Sequence, residues 1–162
     1  MSLRTIGAQA QRRHKRADRY SRVHGSVGDD RRCLCQQPSR RVIGLGVDLV
    51  EVDRMRTVLE RTPTLVDRLF TEYERAYARS ANDPTQRLAV RFAAKEAAMK
   101  ALGVGLGAIG WHDIEVRQSS TGAPELAVSG RAGKLADELG ITEWKVSLTH
   151  TRTVAEAVVA AL

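Results

Sequence analysis

The sequence contains few aromatic residues, few cysteines and no long apolar run. Aromatic side chains make up 4 % of the 162 residues, so a hydrophobic core must be built mainly from Leu, Val, Ile and Ala. No apolar run approaches the ~18 residues that a membrane-spanning helix needs, which argues against a membrane protein. The two cysteines, Cys33 and Cys35, are too few and too close together for a disulfide framework, so we expect a cytoplasmic protein.

Basic residues are in excess, but the excess lies at one end of the chain. Residues 1–41 carry eleven basic and three acidic side chains, whereas residues 42–162 carry fifteen basic and sixteen acidic ones. The formal net charge of +7 therefore belongs to the N-terminal segment. Because residues 42–162 are close to neutral, the charge gives little support to a nucleic-acid-binding domain.

Residues 1–41 show no sustained helical or strand period and are poor in large apolar side chains. This composition predicts a disordered extension, followed by one folded domain at residues 42–162. An organellar leader, a nucleic-acid-binding arm and a segment upstream of the true translation start are alternatives. Metal binding by Cys33 and Cys35 is disfavoured, because no second ligand pair with zinc spacing accompanies them.

Apolar periodicity in residues 42–162 predicts an α+β fold with a mostly antiparallel sheet and a long central helix. Thr71 and Glu74 form a capping-box pattern at the start of one helix, and the last two strands are expected to form a hairpin. The predicted helices cover residues 52–59, 65–70, 71–80, 85–102 and 131–139, and the predicted strands cover residues 42–50, 113–116, 126–128, 144–149 and 153–159.

Asp48 is the first candidate site residue, because it lies in an apolar strand directly after Gly44-Leu-Gly-Val. A carboxylate in such surroundings is costly to bury unless it is paired or bound to a cation. The alternative is a side-chain cap for the helix that follows the strand.

Glu96 and Lys100 are the next candidates, in the helical segment Arg91-Phe-Ala-Ala-Lys-Glu-Ala-Ala-Met-Lys100. Residues four apart share one helix face, so the two charges lie side by side at the edge of the apolar stripe. On this pattern alone, an ordinary surface salt bridge between them is favoured over a catalytic pair.

Two weaker signals follow. Residues 105–110 match G-x-G-x-x-G but follow a helix, which excludes a dinucleotide fold. The segment then serves either as a loop that approaches a phosphate or as a plain helix terminator.

His150 lies at a strand end beside hydroxyl residues, where it either forms hydrogen bonds within a turn or contacts a phosphate. A Ser-His-Asp hydrolase is disfavoured, because the sequence has no G-x-S-x-G segment.

Taken in order, these segments resemble the bacterial holo-acyl-carrier-protein synthases across residues 42–162. The resemblance implies a 4′-phosphopantetheinyl transferase fold that assembles as a homotrimer with sites between protomers. It implies transfer of phosphopantetheine from coenzyme A to a serine of apo-acyl carrier protein, with release of adenosine 3′,5′-bisphosphate, in support of fatty acid biosynthesis. The apolar C-terminal strand, residues 155–162, is expected to contribute to the trimer interface.

The same resemblance implies roles for individual residues. Asp48 and Glu96 would be ligands of Mg²⁺, which prefers oxygen ligands and keeps several waters. Lys100 would neutralise or protonate the leaving phosphate. The general base is either a metal-bound water or Asp48. The residues implied in coenzyme A binding are Lys100, Gly103, His150 and Thr151. Because Thr151 stands where some relatives have Asp, a binding role for His150 is favoured over an acid–base role.

Carrier proteins are acidic, and the family docks them on basic residues of its first helix. Arg54, Arg61 and Arg68 recur at seven-residue spacing and are the expected docking residues, with Arg56 as a possible addition. A solvated helix face is the simpler alternative for these arginines. Two other functions remain open, namely a nucleic-acid-binding protein acting through its basic tail and a nonenzymatic coenzyme A binder.

Overall fold

The computed structural model describes residues 41–162, so the predictions made for the basic extension and for Cys33 and Cys35 lie outside the described residues. The boundary expected between residues 41 and 42 likewise stays a prediction. In chain order, the elements are β1 (Gly44–Glu51), α1 (Val52–Arg61), α2 (Leu65–Leu69), α3 (Glu72–Arg79), α4 (Pro84–Ala101), a 3₁₀ turn (Trp111–Asp113), β2 (Ile114–Gln118), β3 (Pro124–Val128), α5 (Gly130–Glu138), β4 (Trp144–His150) and β5 (Val154–Ala161). Each predicted helix and strand is present, with ends shifted by at most two residues.

The strands form two antiparallel sheets. A three-stranded sheet has the order β1-β5-β4, and β2 pairs with β3 in a separate two-stranded sheet. In the larger sheet, Ala157 of β5 lies opposite both Asp48 of β1 and Leu148 of β4. The predicted α+β class, the antiparallel pairing and the C-terminal hairpin are therefore confirmed.

Helix α4 packs against β1 and β5, and the contact depends on small residues. A Cβ atom added at Gly46 would lie 1.9 Å from the carbonyl oxygen of Ala97, and one added at Gly44 would lie equally close to that of Ala101. Glycine at these two positions therefore allows the strand backbone to touch the helix backbone. The close approach fixes where β1 and α4 place their side chains relative to each other.

The sequence indicates a single apolar face for α4, but the structure buries a larger part of the helix surface. The buried side chains occur around most of the helix, because β1 and β5 cover one side while α3 and β2 pack on others. The fully buried alanines of α4 are Ala89, Ala93, Ala94, Ala97 and Ala98. Alanine provides this all-round contact at no cost in helix propensity.

Helices α3 and α4 both begin with side-chain caps. The predicted capping box of α3 is confirmed, since Thr71 accepts from the Glu74 N–H and the Glu74 carboxylate accepts from the Thr71 N–H. At the start of α4, the Asp83 carboxylate accepts from the Thr85 N–H at 3.0 Å, with Pro84 in the first turn. The caps satisfy donors that have no partner within the helix.

On the face of the larger sheet that points away from α4, the β1 strand presents apolar and exposed side chains. Leu45, Val47 and Leu49 of β1 are 66 %, 51 % and 58 % exposed, and Val158 of β5 lies opposite Val47. We call these four residues the outer sheet face. Isolated exposed apolar side chains are common, but a contiguous set on one sheet face indicates an interaction surface.

None of the helices in residues 41–162 is both long enough and apolar enough to cross a membrane.

Candidate active site

Asp48 and Lys100 meet where β1 passes the end of α4. Lys100 Nζ lies 2.8 Å from Asp48 Oδ1 and 2.9 Å from the Val47 carbonyl oxygen. The Asp48 side chain faces α4 and is 14 % exposed, so the ion pair is partly shielded from water. Asp48 is not the cap of α1, because Glu51 takes the N-cap position there without a side-chain cap.

The sequence-based preference for a Glu96–Lys100 salt bridge is wrong. Lys100 pairs with Asp48 across 52 residues of sequence, although Glu96 lies one turn earlier on the same helix. The close contact at Gly44 and Gly46 brings β1 to the face that carries Lys100, so a strand carboxylate competes successfully for the ammonium.

Glu96 is half-buried, and its carboxylate makes no hydrogen bond or ion pair with any residue that the structure describes. Burial first, and then the charge of Asp48, raises the pKa of the Glu96 carboxyl above its ordinary value, while the nearby Lys100 opposes the shift. A carboxylate placed near a second carboxylate in a partly shielded site favours a bound cation.

The donor set at this site fits Mg²⁺. Within residues 41–162, no group of three or more His, Cys, Asp or Glu side chains is arranged to hold a metal ion. Mg²⁺ needs only one or two carboxylates when a substrate phosphate and waters complete its ligands. Asp48 and Glu96 would provide these two oxygen donors, and the unpaired carboxylate of Glu96 is one that a cation would neutralise.

A pocket of about 670 Å³ opens beside the two carboxylates. Its apolar wall includes Phe92 and Trp111, whose rings stack with centroids 5.1 Å apart. The remaining apolar lining residues are Leu49, Val50, Met55, Val58, Leu65 and Leu69, and the charged ones are Asp48, Glu51, Arg54, Arg68 and Glu96. The pocket thus joins an apolar groove to a carboxylate pair.

The four arginines considered for docking fall into different settings. Arg54 and Arg68 line the pocket, whereas Arg61 is exposed at the end of α1 and does not line it. None of these three has an ion-pair partner among the described residues. Arg56 is different, because its guanidinium binds the Asp83 carboxylate at 2.8 Å. The structure therefore assigns Arg56 to holding α1 against the start of α4.

Gly103, His150 and Thr151 lie outside the pocket lining. Gly103 follows α4 with a φ of 72°, and the space where a Cβ would be is open. His150 is exposed at the end of β4, and the Thr151 hydroxyl accepts from the N–H of Val154 in the adjoining turn. Of the four residues expected to bind coenzyme A, one chain therefore brings only Lys100 to the carboxylates, through its contact with Asp48. Gly103, His150 and Thr151 do not line the pocket that Asp48, Glu96, Arg54 and Arg68 share.

A buried ion pair was missed in the sequence. Lys95 Nζ lies 2.9 Å from Glu74 Oε2, and both side chains are fully buried. Lys95 also donates to the carbonyl oxygens of Trp111 and Ile114, and Glu74 accepts from the Val116 N–H. The available signal was that Lys95 falls between Phe92 and Met99 on the apolar stripe of α4.

Comparison with known proteins identifies the family. A sequence model of the 4′-phosphopantetheinyl transferase superfamily matches residues 44–160. Holo-[acyl-carrier-protein] synthase of Moorella thermoacetica is 46 % identical over 113 residues, which are 70 % of this chain and 88 % of that protein. The enzyme of the same name from Streptomyces avermitilis is 48 % identical over 120 residues, which are 74 % of this chain and 97 % of that protein.

Solved structures agree with this match. Holo-[acyl-carrier-protein] synthase from Neisseria meningitidis is 30 % identical with a TM-score of 0.69, covering 75 % of this chain and 99 % of that chain. The Helicobacter pylori enzyme, solved in complex with coenzyme A, is 28 % identical with a TM-score of 0.65, covering 73 % and 99 %. The chain belongs to the 4′-phosphopantetheinyl transferase superfamily, and the resemblance to holo-acyl-carrier-protein synthases is confirmed.

Proposed function

We propose that this chain transfers the 4′-phosphopantetheine group of coenzyme A to a serine hydroxyl of an apo-acyl carrier protein, in support of fatty acid biosynthesis. The observation that carries the proposal is that Asp48 and Glu96 line one pocket while Lys100 pairs with Asp48. The names of the related proteins support the same reaction.

The transfer exchanges one P–O bond for another. The serine oxygen attacks the β-phosphate of coenzyme A, the bond to adenosine 3′,5′-bisphosphate breaks, and the serine proton passes to a base. Asp48 and a water in the pocket are the two candidates for that base. Lys100, one turn after Glu96, donates to the phosphate oxygens and stabilises the negative charge that develops on the leaving group.

Asp48 and Glu96 are the residues that would hold Mg²⁺. When bound, the ion would neutralise the charge of the pyrophosphate and orient it for in-line attack. The unpaired carboxylate of Glu96 and its raised pKa support this assignment.

The pocket rim supports docking of an acidic carrier. Arg54 and Arg68 have no acidic partner among residues 41–162 and flank the apolar wall formed by Phe92 and Trp111. Unpaired arginines beside an apolar groove provide both attraction for an acidic helix and a surface on which it can pack. Arg61 belongs to the same docking proposal, farther along α1.

A homotrimer is part of the proposal. The outer sheet face is apolar and exposed in the single chain, which supports burial against another protomer. The interface contribution expected from the C-terminal strand is confined to residues such as Val158, because Ala155, Ala157 and Val159 are buried beneath α4. A coenzyme A site shared between protomers also agrees with the position of Gly103, His150 and Thr151 outside the pocket of one chain.

The test is to measure adenosine 3′,5′-bisphosphate by chromatography after incubation with coenzyme A and Mg²⁺, with and without apo-acyl carrier protein. We expect the product only when the carrier is present, in amounts equal to the holo-carrier formed. Release without a carrier would indicate a hydrolase. Binding of coenzyme A with no release under either condition would favour the nonenzymatic binder over the transferase.

A further inference from the structure

Lys100 is the ion-pair partner of the Asp48 carboxylate. Its Nζ donates to Asp48 Oδ1 at 2.8 Å and to the Val47 carbonyl oxygen at 2.9 Å. The Lys100 side chain is 52 % exposed, whereas that of Asp48 is 14 % exposed and fixed on β1. The ammonium can therefore leave the pair by rotation of its flexible stem, while the carboxylate stays in place.

A divalent cation at Asp48 and Glu96 would need the carboxylate that Lys100 holds. Two cations at one carboxylate repel each other, and the repulsion is stronger in a partly shielded site than in bulk water. Glu96 presents no such competition, because it has no ion-pair partner in residues 41–162 and only the longer-range influence of Lys100. The competition is therefore confined to Asp48.

We propose that Lys100 competes with the divalent cation for Asp48, so that binding of the cation releases the ammonium toward the substrate phosphates. The proposal rests on the proposed function in one respect, the assignment of Asp48 and Glu96 as metal ligands. It adds that Lys100 weakens metal binding, although the same residue assists the transfer. A lysine that acted only on the leaving group would leave the affinity for metal unchanged.

The test measures Mn²⁺ binding in the absence of coenzyme A and carrier, using the electron paramagnetic resonance signal of free Mn²⁺. Lys100→Met keeps an unbranched side chain of nearly the same length and removes its charge. We expect this variant to bind Mn²⁺ about fivefold more tightly than the wild type. A factor of this size corresponds to the interaction free energy of one partly exposed ion pair. Lys145→Met is the matched control, because it removes the same charge from an exposed lysine of β4 and should bind like the wild type.

The proposal is overturned if Lys100→Met binds Mn²⁺ as tightly as the wild type or more weakly. It is also overturned if neither protein shows saturable binding. An equal gain in Lys145→Met also overturns it, because the effect would then come from net charge alone. Asp48→Asn separates this proposal from the proposed function. If Asp48→Asn binds Mn²⁺ like the wild type, the metal-ligand assignment is wrong. If Asp48→Asn loses binding but Lys100→Met shows no gain, only the competition is wrong.

Discussion

Lys95 is a charged residue that lies on the buried, apolar side of a helix. It lies between Phe92 and Met99 on the inner side of α4, and its ammonium is fully buried against the carboxylate of Glu74. Burial lowers the pKa of Lys95, and the charge of Glu74 opposes that shift. Three hydrogen-bond acceptors surround the ammonium, namely Glu74 and the carbonyl oxygens of Trp111 and Ile114. The pair therefore ties α3, α4 and the 3₁₀ turn together.

We predict that Lys95→Met destabilises the protein by about 3–5 kcal/mol, because it leaves the Glu74 carboxylate buried without a cation. Urea denaturation of the wild type and the variant measures this change in the free energy of unfolding. Glu74→Gln removes the uncompensated charge, so the double variant should be more stable than Lys95→Met alone. A loss below about 1 kcal/mol in Lys95→Met, which is the scale of an exposed pair, would contradict this account.

At the scale of elements, the contact between β1 and α4 determines the geometry of the site. Gly46 lies two residues before Asp48, and Ala97 lies directly after Glu96 in the helix. The glycine-to-carbonyl contact between Gly46 and Ala97 therefore fixes the separation of the two carboxylates. This contact also explains why Lys100 reaches Asp48.

We predict that Gly46→Ala costs at least about 2 kcal/mol of stability and lowers transfer activity, because backbone must move to accept the new methyl group. Gly105→Ala is the control, since a Cβ at Gly105 would meet no atom within 4 Å. Thermal unfolding and the transfer rate check both variants. Equal behaviour of the two variants would show that the close contact does not control the site.

The docking surface formed by α1 and α2 is tested by charge reversal. We expect Arg54→Glu and Arg68→Glu each to raise the KM for the acyl carrier protein about tenfold, with little change in kcat, because the arginines attract the carrier without touching the reacting phosphate. Arg131→Glu makes the same charge change at an exposed position on α5 and should leave the KM unaltered. An unchanged KM in both docking variants would refute the role assigned to this surface.

The sequence predicted the elements better than the contacts between them. Local patterns were sufficient for the capping box at Thr71 and for the start of α4 at Pro84, because caps and turns involve neighbours in the chain. The partner of Lys100 was not predictable in this way, since Asp48 is distant in sequence and the nearer Glu96 satisfied the helical spacing rule. The Lys95–Glu74 pair was hidden for the same reason.

For the whole molecule, the apolar outer sheet face is the feature that a single chain leaves unexplained. Leu45, Val47 and Leu49 expose an apolar row on β1, and Val47 lies opposite Val158 of β5. We predict that Val47→Asp shifts the protein from a trimer to a monomer in sedimentation analysis, because a buried unpaired carboxylate is costly at an apolar interface.

Leu139→Asp provides the control for this test, since Leu139 is also apolar and exposed but lies beyond the end of α5. It should keep the oligomeric state of the wild type. A wild-type protein that sediments as a monomer would contradict the trimer and would require a different explanation for the outer sheet face.

The most direct test of the central claim is the intact mass of an apo-acyl carrier protein after incubation with coenzyme A, Mg²⁺ and this protein. We predict a gain equal to one phosphopantetheine group with the wild type and with Lys145→Met. The gain should be absent with Asp48→Asn, with Glu96→Gln and after chelation of the metal. No gain with the folded wild type and several carriers would contradict the transferase. A full gain with both carboxylate variants would contradict the site assigned to Asp48 and Glu96.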